Sequence, residues 1–158
     1  MKPLLASQLI ATELVKNKAK TVVLNGSTAR GKSNPNDLDI AVILENENPL
    51  SDDNYRTDVR KRLERDFKYK IDLFCYSEDY VLDLIEYYNK DSWDLCFRLN
   101  CICMDNVRDQ TKGWPLVWIF GENAKKMLDP YMCYQEKFIV LEGRKYLDEL
   151  RSRINIPV

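Results

Sequence analysis

Histidine is absent from the 158-residue sequence. Its absence excludes the commonest general base at neutral pH, a usual zinc ligand, and every arrangement in which His activates a Ser or Cys nucleophile. Long apolar runs are missing too, since no stretch approaches the roughly 20 residues that a membrane-spanning helix requires. We therefore expect no membrane association, and any catalysis must depend on carboxylates, metal ions, Lys, Arg or thiols.

An excess of either charge is also lacking. Lys and Arg number 24 against 25 Asp and Glu, which gives a net charge of −1. Without a positive field, extended nucleic-acid binding is not expected. The five cysteines are odd in number and follow no secretory leader, which predicts free thiols in a reducing cytoplasm. The length and the 45% hydrophobic content predict a single domain over residues 1–158.

Hydrophobic periodicity predicts strands that alternate with helices. Helices are predicted over Pro3–Lys16, from an Asp52 or Asp53 cap to Phe67, after a Ser77 cap, and over 131–151; strands are predicted over 21–24, 38–44, 69–76 and 116–120. Residues 93–104 fit both a strand and a helix, with helix slightly favoured. The pattern predicts an α+β (layered α/β) fold with a mixed sheet flanked by helices, a core at about 20–76 and a helical and strand extension over 77–158.

The segment from Gly26 to Ser33 matches the phosphate-binding P-loop pattern letter for letter. A P-loop requires a helix of several turns that begins at its Lys-Ser end, because the amides of that helix hold the phosphates. Here Pro35 disfavours a helical Asn34, and the next strand begins within a few residues. The sequence therefore disfavours a P-loop NTPase, although that class stays open as a lesser alternative.

Three acids follow the glycine segment on predicted strands. Asp37 and Asp39 are two residues apart, so their side chains share one face with Cα atoms about 6 to 7 Å apart. At that distance two carboxylates repel by nearly 3 kcal/mol at an effective dielectric constant of about 20, which favours a cation between them. Asp72 lies in an apolar strand, where an acid is costly without a metal or a partner. Oxygen ligands suit Mg²⁺, and three acids suit two ions, with Mn²⁺ as a substitute.

These residues carry a family resemblance. The strings Leu24-Asn25-Gly26-Ser27, Asp37-Leu38-Asp39-Ile40 and Ile71-Asp72-Leu73 resemble the signature of polymerase beta-type nucleotidyltransferases. The fuller form from Gly26 through Arg30 to Gly31 is similar to the minimal nucleotidyltransferases. That branch includes antitoxin partners of small helical toxins and relatives of antibiotic-modifying adenylyltransferases. The resemblance covers about residues 20–76.

The resemblance implies both an activity and roles for the site residues. The implied reaction moves a nucleoside monophosphate from a nucleoside triphosphate, with ATP as the expected donor, to a protein or small-molecule hydroxyl and releases pyrophosphate. Asp37, Asp39 and Asp72 would be the catalytic and metal-binding residues, with Asp72 as third ligand or base. The nucleotide-binding residues would be Gly26, Ser27, Arg30 and Lys32. The implied fold is a mixed nucleotidyltransferase sheet flanked by helices.

Simpler interpretations of the same residues remain. Asp37 and Asp39 are also common residue types at turns and strand starts, and Asp72 could point to water from an edge strand. Gly26 and Gly31 could merely supply a turn with positive φ. At the level of the whole chain, the alternative is a catalytically silent, antitoxin-like nucleotidyltransferase fold that binds a partner protein. The sequence does not identify the acceptor.

Overall fold

The computed structural model describes residues 1–90, 119 and 138–153. The helices are α1 (Pro3–Lys16), α2 (Gly26–Ala29), α3 (Asp53–Phe67), α4 (Glu78–Lys90) and α5 (Arg144–Ser152). The strands are β1 (Ala19–Asn25), β2 (Leu38–Leu44), β3 (Ile71–Ser77) and β4 (Ile139–Glu142), and a 3₁₀ turn spans Pro49–Ser51. The predictions for α1 and β2 are confirmed to the residue, and those for β1, α3, β3 and α4 are confirmed with small shifts at their ends.

The four strands form one mixed sheet in the order β3-β2-β1-β4. β2 and β3 are parallel, whereas β1 is antiparallel to both of its neighbours, β2 and β4. The chain passes from β2 to β3 through α3, as a parallel pair requires. The predicted α+β fold with a mixed sheet flanked by helices is therefore confirmed.

The main core lies between one face of the sheet and helices α1 and α3. Alternate residues of the strands point to this face, including Leu24 of β1 and Ile40 of β2, and both are fully buried. The same core cluster includes Ile10 and Leu14 from α1 and Leu63 from α3. The intervening strand residues, among them Asn25 and Asp39, must point to the opposite face of the sheet. This second face carries the polar row described below.

Side-chain caps and one polar cluster fix the helices on the sheet. Asp52 Oδ1 accepts from Tyr55 N at 2.9 Å and Ser77 Oγ accepts from Tyr80 N at 3.2 Å, which confirms both predicted caps. The polar cluster consists of Lys20, Glu78 and Tyr146. Lys20 Nζ lies 2.8 Å from Glu78 Oε2, the Tyr146 hydroxyl donates to the same oxygen, and Lys20 Nζ sits 4.9 Å from the Tyr146 ring centroid. These contacts tie β1, α4 and α5 together.

The C-terminal predictions need correction. The long helix predicted over 131–151 is wrong over 139–143, because 139–142 form β4, and it is confirmed over 144–151, since α5 begins at Arg144. Pairing with β1 supplies the strand geometry, and Gly143 breaks the segment with a φ of 74°. A Cβ at Gly143 would lie 2.1 Å from Lys20 O, so the chain turns there in close contact with β1.

The strand predicted over 116–120 is wrong at Ile119, its described residue, which is helical and buried. Residues 93–104 and 131–137 lie outside the described residues, so their predictions are not tested. No helix among the described residues is long and apolar enough to cross a membrane.

Candidate active site

A row of polar residues crosses three neighbouring strands at one level of the sheet. The strand register places Asn25 of β1 opposite Asp39 of β2, and Asp39 beside Asp72 of β3. Asp37 lies immediately before the first residue of β2. One carboxylate oxygen from each of Asp37, Asp39 and Asp72 lies within 4.8 Å of the others. The structure thus brings the three predicted acids together, with Asp72 the most exposed of them.

Gly26 lies directly against the Asp39 carboxylate. A Cβ built at Gly26 would be 2.0 Å from Asp39 Oδ2, and the residue has a φ of 70°. Both features require glycine, because a side chain would displace the carboxylate and the backbone conformation disfavours L residues. The glycine segment therefore does more than turn the chain, since it leaves the space that Asp39 occupies.

The rest of the loop folds back through three main-chain hydrogen bonds. Arg30 N donates to Gly26 O at 3.2 Å, Gly31 N to Thr28 O at 3.0 Å, and Lys32 N to Ser27 O at 2.9 Å. Ser27, Arg30 and Lys32 consequently belong to one compact loop that begins at the Asp39 contact. Ser27 is partly exposed, and both basic residues are exposed.

This loop is not a P-loop. Its single helical turn, α2, ends before Lys32, whereas a P-loop helix would begin there. Residues 32–37 contain no helix, and β2 returns antiparallel to β1 instead of parallel to it. The P-loop NTPase interpretation is therefore wrong, and the physical reason is the one that Pro35 indicates in the sequence: the chain cannot continue as a helix after Ser33.

Like charges confined in a partly buried site govern its electrostatics. Burial, followed by the charges of Asp37 and Asp72 and a hydrogen bond with Asp72, raises the pKa of Asp39 from 3.8 to about 6. Burial and then the charge of Asp72 raise the pKa of Asp37 as well. Both shifts mean that the ionised acids are destabilised in the metal-free protein. A bound cation would remove that penalty.

Three basic residues oppose these shifts. Arg30 lowers the pKa of Asp39, and Lys70 and Lys32 lower that of Asp37, although burial and the neighbouring acids outweigh them. Sequence reasoning identified Arg30 and Lys32 but missed Lys70. The Lys70 carbonyl accepts a hydrogen bond from Leu38 N at 2.8 Å, and this bond joins the start of β3 to the start of β2. In the sequence, Lys70 is a base directly before the acid-bearing strand β3. It follows closely on the many bases of α3, so the sequence alone does not distinguish it from them.

The donor set fits a hard divalent cation. All three side chains offer carboxylate oxygens, which Mg²⁺ and Mn²⁺ prefer, and none offers sulfur or imidazole. The acids are close enough that an effective dielectric of 20 gives a repulsion of about 3 kcal/mol for each ionised pair. Burial, followed by the charges of the neighbouring acids, raises the pKa of both Asp37 and Asp39, and a cation bound among them would favour their ionised forms.

Comparison with known proteins identifies the family. The family model described as Polymerase beta, Nucleotidyltransferase matches residues 8–92, which includes the glycine loop and all three acids. The chain therefore belongs to the polymerase beta nucleotidyltransferase family.

Among solved structures, the chain is similar to one described as a tri-AMPylated Shewanella oneidensis HEPN toxin in complex with MNT antitoxin. The match has 16% identity and a TM-score of 0.39, and covers 92% of this chain and 80% of the other. No curated protein matches the sequence.

Proposed function

We propose that this protein is a metal-dependent nucleotidyltransferase that moves a nucleoside monophosphate from a nucleoside triphosphate to a hydroxyl group and releases pyrophosphate. One observation carries the proposal: Asp37, Asp39 and Asp72 offer three carboxylate oxygens within 4.8 Å of one another. Gly26, at the start of the loop, contacts the central acid of this cluster. Membership of the nucleotidyltransferase family supports the reaction class.

Each residue of the site has a proposed role. Asp37 and Asp39 hold the divalent ions, two Mg²⁺ with Mn²⁺ as a substitute. When bound, these ions lower the pKa of the attacking hydroxyl and neutralise the charge of the leaving pyrophosphate. The Ser27 hydroxyl donates a hydrogen bond to a phosphate oxygen. Arg30 and Lys32 supply positive charge on the exposed side of the loop, where the triphosphate of ATP or another nucleotide would lie.

Asp72 is the proposed third ligand and the base that receives the acceptor's proton. It is the exposed acid of the cluster, and it lies on β3, one of the two outer strands of the described sheet. An acceptor can therefore approach it without displacing the helices that cover the core. The acceptor is a hydroxyl of a protein or a small molecule. A small helical toxin is our candidate protein acceptor, and this last hypothesis rests on the family resemblance alone.

The test follows the α-phosphate of the nucleotide. The purified protein is incubated with Mg²⁺, each of four α-labelled nucleoside triphosphates in turn, and cell extract separated into protein and small-molecule fractions as acceptors. We expect metal-dependent label on one fraction, equimolar pyrophosphate, and loss of both with Asp39→Asn. Asp58→Asn, which removes an exposed acid from α3, is the matched control and should retain full activity.

The results separate the remaining function classes. Orthophosphate release without transfer of the α-phosphate contradicts a nucleotidyltransferase. Binding of Mn²⁺ and nucleotide without any transfer supports the silent, protein-binding alternative. Undiminished labelling by Asp39→Asn overturns the assignment of the site.

A further inference from the structure

Asn25 is a buried amide that has no hydrogen-bond partner among the residues that the structure describes. Its side chain has no solvent exposure, and neither Nδ2 nor Oδ1 makes a hydrogen bond within residues 1–90, 119 and 138–153. Buried side-chain amides are almost always hydrogen-bonded, so an amide that is unpaired at both ends calls for an explanation. The position is the last residue of β1, directly before Gly26. Asn25 therefore lies directly before the loop that we propose binds the triphosphate.

The strand register places this amide next to the acids. Asn25 is the antiparallel partner of Asp39, so the two side chains point to the same face of the sheet. The preceding pair, Leu24 and Ile40, points into the opposite core, which is consistent with this assignment. Directly opposed residues have Cβ atoms about 4.5 to 5.5 Å apart. The amide is thus within rotamer reach of the Asp39 carboxylate.

The two neighbours of Asp39 in the row differ in chemistry. On the β3 side lies Asp72, the exposed acid of the cluster, which would share a bound cation with Asp39. On the β1 side stands Asn25, which is neutral, buried, and able to donate two hydrogen bonds through Nδ2. A metal-binding carboxylate commonly has such a donor on the side away from the ion, and the donor fixes its orientation.

We propose that Asn25 is a positioning residue of the metal site, and that its Nδ2 donates to the Asp39 carboxylate when a divalent cation occupies the acid cluster. The proposal deepens the proposed function and rests on one part of it, namely that the three acids bind a divalent cation. It does not require that transfer occurs. Asn25 acts through Asp39 and touches neither nucleotide nor metal.

The experiment compares Mn²⁺ affinity with the stability of the metal-free protein. Mn²⁺ is titrated into the wild type, Asn25→Leu and Asn25→Ala at constant pH, with free Mn²⁺ measured by electron paramagnetic resonance. We expect both variants to bind Mn²⁺ about 10- to 100-fold more weakly, the usual effect of removing such a partner. The metal-free melting temperature of Asn25→Leu should not fall, because an unpaired amide is replaced by an apolar side chain of similar size.

Thr28 supplies a matched control. Its Oγ1 is also buried and has no hydrogen-bond partner in the described part of the chain, and Thr28 belongs to the same loop but not to the polar row. Thr28→Val should bind Mn²⁺ within twofold of the wild type. Wild-type affinity in Asn25→Ala, or an equal loss in Thr28→Val, overturns the proposal. If the wild type itself fails to bind Mn²⁺, the metal site of the proposed function is wrong, which is a different result. If Asn25→Leu fails to fold, the Mn²⁺ affinity of Asn25→Ala alone tests the proposal.

Discussion

Replacing Asp39 with Asn should stabilise the metal-free protein at neutral pH. The pKa of Asp39 is raised from 3.8 to about 6, chiefly by burial and then by Asp37 and Asp72. The folded protein therefore binds this proton more tightly than the unfolded chain does. It follows that ionised Asp39 destabilises the fold above pH 6, and that this cost disappears as the pH falls below about 4.

The size of the effect follows from the same shift. A pKa change from 3.8 to about 6 corresponds to at most about 3 kcal/mol. Because the site is partly open to solvent, screening reduces the expected value to about 1 to 2 kcal/mol. Asp39→Asn should exceed the wild type in free energy of unfolding by this amount at pH 7.5, and the difference should vanish towards pH 4. With Mg²⁺ present, the wild type should have the higher free energy of unfolding, because Mg²⁺ binds and stabilises only the wild type.

Urea unfolding followed by far-UV circular dichroism measures this difference from pH 4 to 8, with a chelator and then with Mg²⁺. Asp58→Asn is the control, since it removes the same charge from an exposed position of α3. Two results would refute the reasoning. One is a variant less stable than the wild type at pH 7.5 without metal, and the other is a stability difference that does not change with pH.

Two further substitutions test contacts described above. Gly26→Ala places a methyl group 2.0 Å from Asp39 Oδ2 at a φ of 70°, so we expect a loss of about 1 to 3 kcal/mol in stability and at least tenfold weaker Mn²⁺ binding. Mn²⁺ titration checks this, and unchanged affinity contradicts it. Tyr146→Phe removes the hydroxyl that donates to Glu78 and should cost about 1 to 2 kcal/mol in urea unfolding. The control Tyr55→Phe, at an exposed hydrogen bond, should change stability by less than about 0.5 kcal/mol, and an equal loss in both would argue against the Glu78 contact.

The first ninety residues were predictable because their local signals agree with their tertiary environment. β2 is an apolar run that is buried on both faces, and α3 has an Asp52 cap and one apolar stripe, so pattern and structure coincide. Pro35 is also a local signal. It excludes a helix after the glycine loop and therefore predicts that the loop is not a P-loop. The clustering of Asp37, Asp39 and Asp72 also agrees with the prediction, although their chemical roles stay proposals.

The features that sequence reasoning missed depend on contacts between distant segments. β4 pairs with β1, a contact between segments that lie far apart in the sequence. Asn25 and Lys70 approach the acids only through the register of β1 and β3 against β2. No local pattern encodes such a register. That residues 1–158 form a single domain stays a prediction.

The position of β4 has a consequence for how the protein is made. β1 lies between β2 and β4, and Thr21 Oγ1 donates to Glu142 O at 2.8 Å, across 121 residues of sequence. At about 5 to 20 residues per second, a ribosome needs roughly 6 to 24 s to cover that interval. Within this interval, once β3 has been made, the hairpin of β1 and β2 can assemble the acid cluster with it, while the other edge of β1 can pair with β4 only after residues 139–142 are made. The nascent chain can therefore bring the three acids together before its sheet is complete, and the unpaired edge of β1 is the place where a chaperone or a second nascent chain would pair with it.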